Sequence, residues 1–414
     1  MTTNFKPVTD KLILILLTIQ ISFVSLSIAL SSIAFGIWLG IWLIQIIVLK
    51  KINYDEFLFR EMKILNLFVL LYLVAEVISR IFAVYPEGAF SNFKRLLLFS
   101  IFFISILKIT DFETLIKIIF ANIFILSLIS FAELIQYSLK FSELINKMPF
   151  SEIRIDYFNY PLTTAEIKMI SFFSVFPMLF IKEKLLISKK YILLMIIPLF
   201  LSMLLTQSRN VFVGVFAGFL LFGIIANRKF LLSFIAAMLL AWIFLPSGMT
   251  NRVSSITDMN HTSNSARLSM WKVGLQMFYD HPLTGTADSH IREIYETYKK
   301  PESDAEGVHL HNNYLMILAT TGLPGFIAFA GLFLSIFLFQ IKKYRASTDN
   351  ISKMLILGSI LVSISFHISG FFEWSFGDHE VMTVFFFLIS VPFVLSKAGV
   401  VSLTPDKSDL PVRH

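Results

Sequence analysis

Apolar residues in this chain run in long stretches, each closed by a short charged or turn-forming cluster, instead of alternating or recurring on one helical face. A bilayer core of about 30 Å needs roughly 20 apolar residues per helix. The intervals that answer to this are 12–29, 33–49, 64–84, 95–109, 114–136, 166–182, 190–206, 210–226, 230–247, 312–340, 352–372 and 380–397. The first two are divided only by Ser31 and Ser32, and the seventh to ninth only by Gln207-Ser208-Arg209 and Asn227-Arg228-Lys229. The pattern predicts an all-α integral membrane protein of about 12 transmembrane helices. Its first interval has no small-residue cleavage site behind it and reads as a retained helix.

Composition agrees. Of 414 residues, 56% are hydrophobic and 15% charged, whereas a water-soluble domain carries charge at about a quarter of its positions. The lack of Cys removes disulfides, thiolate ligands and thiol nucleophiles. A net charge of +7 would suit nucleic acid, but the basic residues gather in alternate connections: Lys50, Lys51, Arg60 and Lys63, then Lys184, Lys189 and Lys190, then Arg228 and Lys229, then Lys342, Lys343 and Arg345, and last Lys407 and Arg413. Basic connections face the cytoplasm, so both termini are expected there and no nucleic-acid partner is needed.

The same parity puts 85–94, 137–165, 207–209, 248–311 and 373–379 on the outer face. The longest, 248–311, holds five of the eight histidines: His261, His281, His290, His309 and His311. Leu268, Trp271, Leu275 and Phe278 recur at helical spacing, as do Ile291, Ile294, Tyr295 and Tyr298 before Lys299-Lys300-Pro301, which predicts two short amphipathic helices. With no fixed-period repeat, the expectation is one polytopic domain, 1–414, carrying 248–311 as an outer cap.

Candidate chemistry lies at that face. Arg209 sits in the knot Thr206-Gln207-Ser208-Arg209 between two apolar helices; it either snorkels to headgroups or holds an anion. Arg267 opens the first cap helix, with Asn264 or Ser265 as N-cap; a helix N-terminus with a guanidinium suits an anion, while a solvated arginine is the plain reading. In Val308-His309-Leu310-His311-Asn312-Asn313 the two histidines, at i and i+2, cannot share a helical face. One is expected to face the outer cavity as a neutral imidazole, fit for a general base; bonding to headgroups is the competing reading.

No metal is expected, because HExxH and DxD spacings are absent and Asp258, Asp280, Asp288, Glu293, Glu296, Glu302, Asp304 and Glu306 are scattered. Guanidinium groups can neutralise a pyrophosphate instead. Glu76 and Arg80 have i,i+4 spacing and should pair. Lys94 and Arg95 open the fourth helix and Glu133 lies in the fifth. Arg80, Arg95 and His309 are second-rank candidates, and Asp378 or Glu373 could stand beside His311 as an orienting acid.

Thr206-Gln207-Ser208-Arg209, Ala266-Arg267-Leu268 with Trp271, Gly274 and Pro282, and His309-Leu310-His311-Asn312 with Gly322 and Gly325, ordered around one long outer loop, resemble the O-antigen ligase family. The resemblance covers mainly 200–330. It implies a GT-C-like membrane glycosyltransferase, without cofactor or metal, in the bacterial inner membrane. Such an enzyme moves a glycan from undecaprenyl pyrophosphate to lipid A–core at the periplasmic face, with inversion. Arg209 and Arg267 would hold the pyrophosphate and His311 would accept the proton. The alternatives are an O-antigen polymerase or protein O-oligosaccharyltransferase of the same superfamily and, from another class, a transporter of lipid-linked sugars.

Overall fold

The computed structural model describes residues 2–49, 56–148, 152–156, 158, 160–244, 254, 258, 262–299 and 309–399. Lys50, Lys51, Lys407 and Arg413 of the expected cytoplasmic connections lie outside those residues, as do His261, Lys300, Pro301, Glu302, Asp304, Glu306 and Val308 of the long outer one. Among the described residues the elements are α1 (Thr2–Phe23), α2 (Ile28–Leu49), α3 (Glu56–Arg60), α4 (Lys63–Ile81), α5 (Phe99–Lys108), α6 (Phe112–Leu144), α7 (Pro161–Val175), α8 (Lys189–Leu205), α9 (Arg209–Ile225), α10 (Arg228–Phe244), α11 (Thr262–Asp280), α12 (Ile291–Tyr298), α13 (Asn313–Ala346), α14 (Asn350–Ser369) and α15 (His379–Lys397). Short 3-10 turns at Phe93–Leu98, Phe176–Phe180 and Ser375–Gly377 join some of them.

A helix stands in every one of the twelve apolar intervals. Among the described residues, seven are long and apolar enough to cross a membrane: α2, α4, α6, α7 with its 3-10 extension, α13, α14 and α15. The others fall short for two reasons. Lys6, Asp10 and Lys11 crowd the first half of α1. Helix α5 has 10 residues and α8, α9 and α10 have 17 each; even 17 span only roughly 25 Å at 1.5 Å per residue, somewhat under the hydrocarbon thickness. The first boundary also moves. The chain turns at Val24–Ser27, and Ser31 lies inside α2, its Oγ donating to the Gln20 carbonyl at 3.1 Å. A serine in an apolar helix satisfies itself on a carbonyl without ending the helix.

Ile33, Ile37, Leu43, Ile44 and Ile47 of α2 and Leu232, Leu239, Leu240 and Ile243 of α10 are all exposed. A soluble monomer does not show an apolar belt of this extent; lipid accounts for it, and the chain is an α-helical membrane protein. Helices α7 and α15 are buried along most of their length and α2 is not. The centre is therefore α7, α14 and α15, with α13 on α4 and α1 on α2 as outer pairs. Charges inside are matched: Glu133 of α6 pairs with Lys168 of α7, whose Nζ also donates to Ser202 Oγ at 2.7 Å.

Both expected cap helices are present, as α11 and α12, and α11 packs on α13. What anchors them is a break in α13. Gly322 has φ 68°, and Pro324 offers no N–H to the Thr320 carbonyl. Leu323 N donates outward to Pro282 O at 2.8 Å. The carbonyls of Ala319 and Thr320 accept instead from Thr286 N and Ala287 N, both at 3.0 Å. A side chain at Gly285 (φ 68°) would meet the Thr320 backbone at 2.2 Å, so only glycine allows this close approach. The 282–287 turn is thereby tied to α13.

Candidate active site

The turn between α8 and α9 places Arg209. Gln207 takes φ 54°, a left-handed conformation uncommon outside glycine, and α9 begins two residues later. The segment 152–156 laces this turn: Ile155 N donates to Leu205 O at 3.1 Å, Gln207 Nε2 to Ile153 O at 2.9 Å and Arg154 Nε to Thr206 O at 2.7 Å. Asn210 Nδ2 donates to Glu166 Oε1 at 2.7 Å and to Ser369 Oγ at 3.1 Å. The first turn of α9 is thus held to α7 and α14.

His311 is placed from the other side. Its φ of 45° puts it in the left-handed region, just outside α13, whose N-cap is Asn312. The side chain of Asn312 accepts from the N–H groups of Tyr314 and Leu315, both at 2.9 Å, so the helix opens after His311. Asn312 Nδ2 donates to Phe371 O at 3.0 Å, Asn313 N to Gly370 O at 2.7 Å and Phe376 N to Asn313 Oδ1 at 3.0 Å. This stitching sets His311 Nδ1 3.0 and 3.1 Å from the two oxygens of Glu373. A carboxylate only accepts, so Nδ1 carries the proton and Nε2 is the basic atom of the neutral ring. Burial pushes the Glu373 carboxyl up, but the His311 hydrogen bond and the charges of His311 and His309 outweigh it and hold the pKa below the usual value. His309 is brought down to about 4 by burial first, then by His311, with Arg267 adding to it; it is neutral at pH 7.

Arg154, Arg209, Arg267 and His311 line one cavity of about 230 Å³. An adjoining cavity of about 120 Å³ shares Arg209, Asn210 and Arg267 but has Val213, Leu268, Trp271 and Phe372 for walls. The two guanidinium groups therefore stand between a polar chamber and an apolar one. Arg267 reaches them from the second turn of α11, not from its start, and Asn264 donates to Asp258 O at 2.9 Å and does not cap the helix.

The second-rank residues lie elsewhere. Arg80 is buried against Glu76, as the spacing predicted, and also donates to Asp288 Oδ1 at 2.8 Å. Arg95 donates to Glu76 at 3.1 Å and pairs with the other Asp288 oxygen. Two cations and two anions balance, and the network binds α4 and the Phe93–Leu98 turn to the cap. Asp378 caps α15 through Glu380 N and Val381 N and accepts from Thr163 Oγ1 at 2.6 Å; of the two acids considered, Glu373 is the one at His311. The rings of His309 and His311 lie 4.1 Å apart, yet His309 faces a different cavity. Spacing in the chain also gave no sign that His309, His311 and Glu373 bring three atoms of metal-ligating type within 4.8 Å of one another.

Residues 193–330, from α8 into α13, match the O-antigen ligase family model, and Arg209, Arg267 and His311 all fall within the match. That segment is similar to the O-antigen ligase family. No curated protein matches the chain. The matched segment contains both guanidinium groups of the gate between the chambers and the basic histidine, while Arg154, Glu166 and Glu373 come from outside it.

Proposed function

We propose that the protein is an O-antigen ligase, transferring a glycan from undecaprenyl pyrophosphate to the lipid A–core oligosaccharide. The observation that carries this reading is the meeting of Arg209, Arg267 and His311 around one cavity, with an apolar chamber directly behind the arginines. The pyrophosphate would lie between the guanidinium groups, its first isoprene units against Trp271 and Phe372, and the reducing-end sugar toward His311. The acceptor hydroxyl oxygen attacks the anomeric carbon as the bond from that carbon to the pyrophosphate oxygen breaks. The proton goes to His311 Nε2 and undecaprenyl pyrophosphate leaves. Attack opposite the leaving group inverts the centre.

Charge grows on the departing pyrophosphate, so fixed guanidinium groups stabilise the transition state more than the ground state. Glu373 holds the His311 tautomer and stabilises the imidazolium. The reading needs no metal, since the arginines supply the positive charge. It also takes all twelve helices as crossing the bacterial inner membrane, the five shorter or more charged ones included, with both termini cytoplasmic, the site periplasmic, and 248–311 as cap on a single domain, 1–414.

The test is replacement of His311, Arg209 and Arg267 singly by Ala in a deletion strain, with membrane abundance checked and lipopolysaccharide run on a gel. Bare core with accumulating lipid-linked polymer is expected for each. Single repeat units on the core would mean a polymerase, and transport of lipid-linked sugar without transfer would mean a transporter. Loss of transfer by purified protein on adding chelator would assign a metal to the His309–His311–Glu373 trio and refute the metal-free mechanism.

A further inference from the structure

A transfer between two lipid-borne reactants needs a second amphiphile site, and resting on the reading above, the molecule offers one. The partition is the histidine pair: His311 lines the chamber with Arg209 and Arg267, while His309, its ring 4.1 Å away, lines a cavity of about 750 Å³ on the far side. Trp374 follows Glu373 directly and lines this second cavity with Lys94 and His379, whose Nε2 is buried without a hydrogen-bond partner. An aromatic face beside polar groups suits a sugar ring, and an exposed lysine suits a phosphate or carboxylate. Arg95 is committed to Glu76 and Asp288 and stands over one face of the Trp374 ring, 5.6 Å from its centroid, so the other face is the one offered to a sugar and, among the described lining residues, Lys94 is the cation left to meet a ligand.

The opposite wall has another character. Ile28 and Leu97, each about half exposed, line the cavity with Phe35 and Ser32, between the start of α2 and the turn leading into α5. One wall is thus polar and level with the cap; the other is apolar and on the lipid side. We propose that this cavity is the acceptor subsite, taking the sugar headgroup of an anionic, phosphorylated glycolipid against Trp374 and Lys94, with its acyl chains passing between α2 and α5. The two lipid-linked reactants then approach the His309–His311–Glu373 cluster from opposite sides, and neither has to displace the other's tail.

The test measures binding, without turnover, to purified full-length protein in nanodiscs, with lipid A–core and undecaprenyl pyrophosphate titrated separately. Lys94→Glu reverses the charge, and Ser32→Trp, at an exposed position, fills the lipid-side mouth. Each is expected to raise the Kd for lipid A–core about tenfold, the scale of one charge-assisted contact, and to leave the Kd for undecaprenyl pyrophosphate within twofold. Arg267→Ala should do the reverse. Acceptor binding that is absent from the parent protein, or unchanged by both variants, overturns the subsite, as does a shift in pyrophosphate binding alone. A parent protein that shows the expected binding shifts but forms no product keeps the subsite and overturns the transfer reading instead.

Discussion

Glu373→Gln removes one charge from the site while keeping its shape. In the parent, the Trp374 backbone N–H donates to Glu373 Oε1 at 3.1 Å, which fixes an oxygen at that position in the variant too. The amide NH2 must then take the place of Oε2, which stood 3.1 Å from His311 Nδ1. The retained Oε1, 3.0 Å from Nδ1, can still accept its proton, but the new NH2 now competes for the same nitrogen, so the tautomer with the basic lone pair on Nε2 is held less firmly. The imidazolium formed during transfer also loses its counterion. Two unit charges about 3 Å apart at an effective dielectric near 20 interact by roughly 5 kcal/mol; with the His311 side chain 27% exposed, about 3 kcal/mol is a fair allowance after screening. At 1.36 kcal/mol per tenfold, the expected fall in kcat is about 10²-fold from the lost charge, within the usual range for a general base. The assay is single-turnover transfer in vitro, with donor KM measured alongside. Donor KM should hold within about threefold, because Arg209 and Arg267 are untouched, and the double variant Glu373→Gln/His311→Ala should be no slower than His311→Ala, since the two act as one unit. A Glu373→Gln enzyme with near-parental kcat, or one impaired only in donor KM, refutes the assigned roles.

Arg267→Ala should lower kcat/KM for the lipid donor by roughly 10²–10³-fold, and Arg267→Lys should recover only part of it because a point charge lacks the planar fork; full recovery in a donor titration would contradict bidentate recognition. His309 titrates at about 4 when folded against about 6.5 unfolded, so the unfolded chain binds more protons between those values and stability falls as the pH drops from 6.5 to 4; the lowered Glu373 carboxyl acts in the same sense at the acid end, its contribution lost as pH falls through its folded pKa. The thermal midpoint should therefore drop between pH 7 and pH 5, and His309→Gln should flatten that drop. Gly285→Ala must force a side chain onto the Thr320 backbone at a left-handed position, which should destabilise by about 2 kcal/mol or more, seen as an earlier loss of activity on heating; an unchanged midpoint would mean that the 282–287 turn bears no load.

How much of this was legible in the chain depends on the range of the interactions. The twelve apolar intervals were, because each helix is decided by its own composition, and so was the polar character of the segments that bring Arg209, Arg267 and His311 to one cavity, because polar clusters confined between apolar helices stand out locally. The turn at Val24–Ser27 was not, for it contains neither Gly nor Pro and both of its serines are buried or half-buried. Arg154 and Glu166 were assigned no role, and Glu373 was offered only as an alternative to Asp378, since each meets its partner across a long separation: Arg154 reaches the carbonyl of Thr206, Glu166 holds Asn210, and Glu373 sits 62 positions from His311. No periodicity links such pairs. The rule that residues at i and i+2 diverge applies to regular helix, and His309 and His311 precede one, which is why their rings touch.

The exchange of partners at the α13 break bears on how the molecule can move. Swinging the 282–287 turn away would strand the buried Ala319 carbonyl and leave that of Thr320 only the Ser79 hydroxyl, and continuous helix cannot recapture them past Gly322 and Pro324. That stretch and the first part of α13, which begins at Asn313 two residues after His311, therefore behave as one stiff lever. A blow to the turn registers at the imidazole some distance off, and breathing of the entrance has to be sought in other parts of the chain.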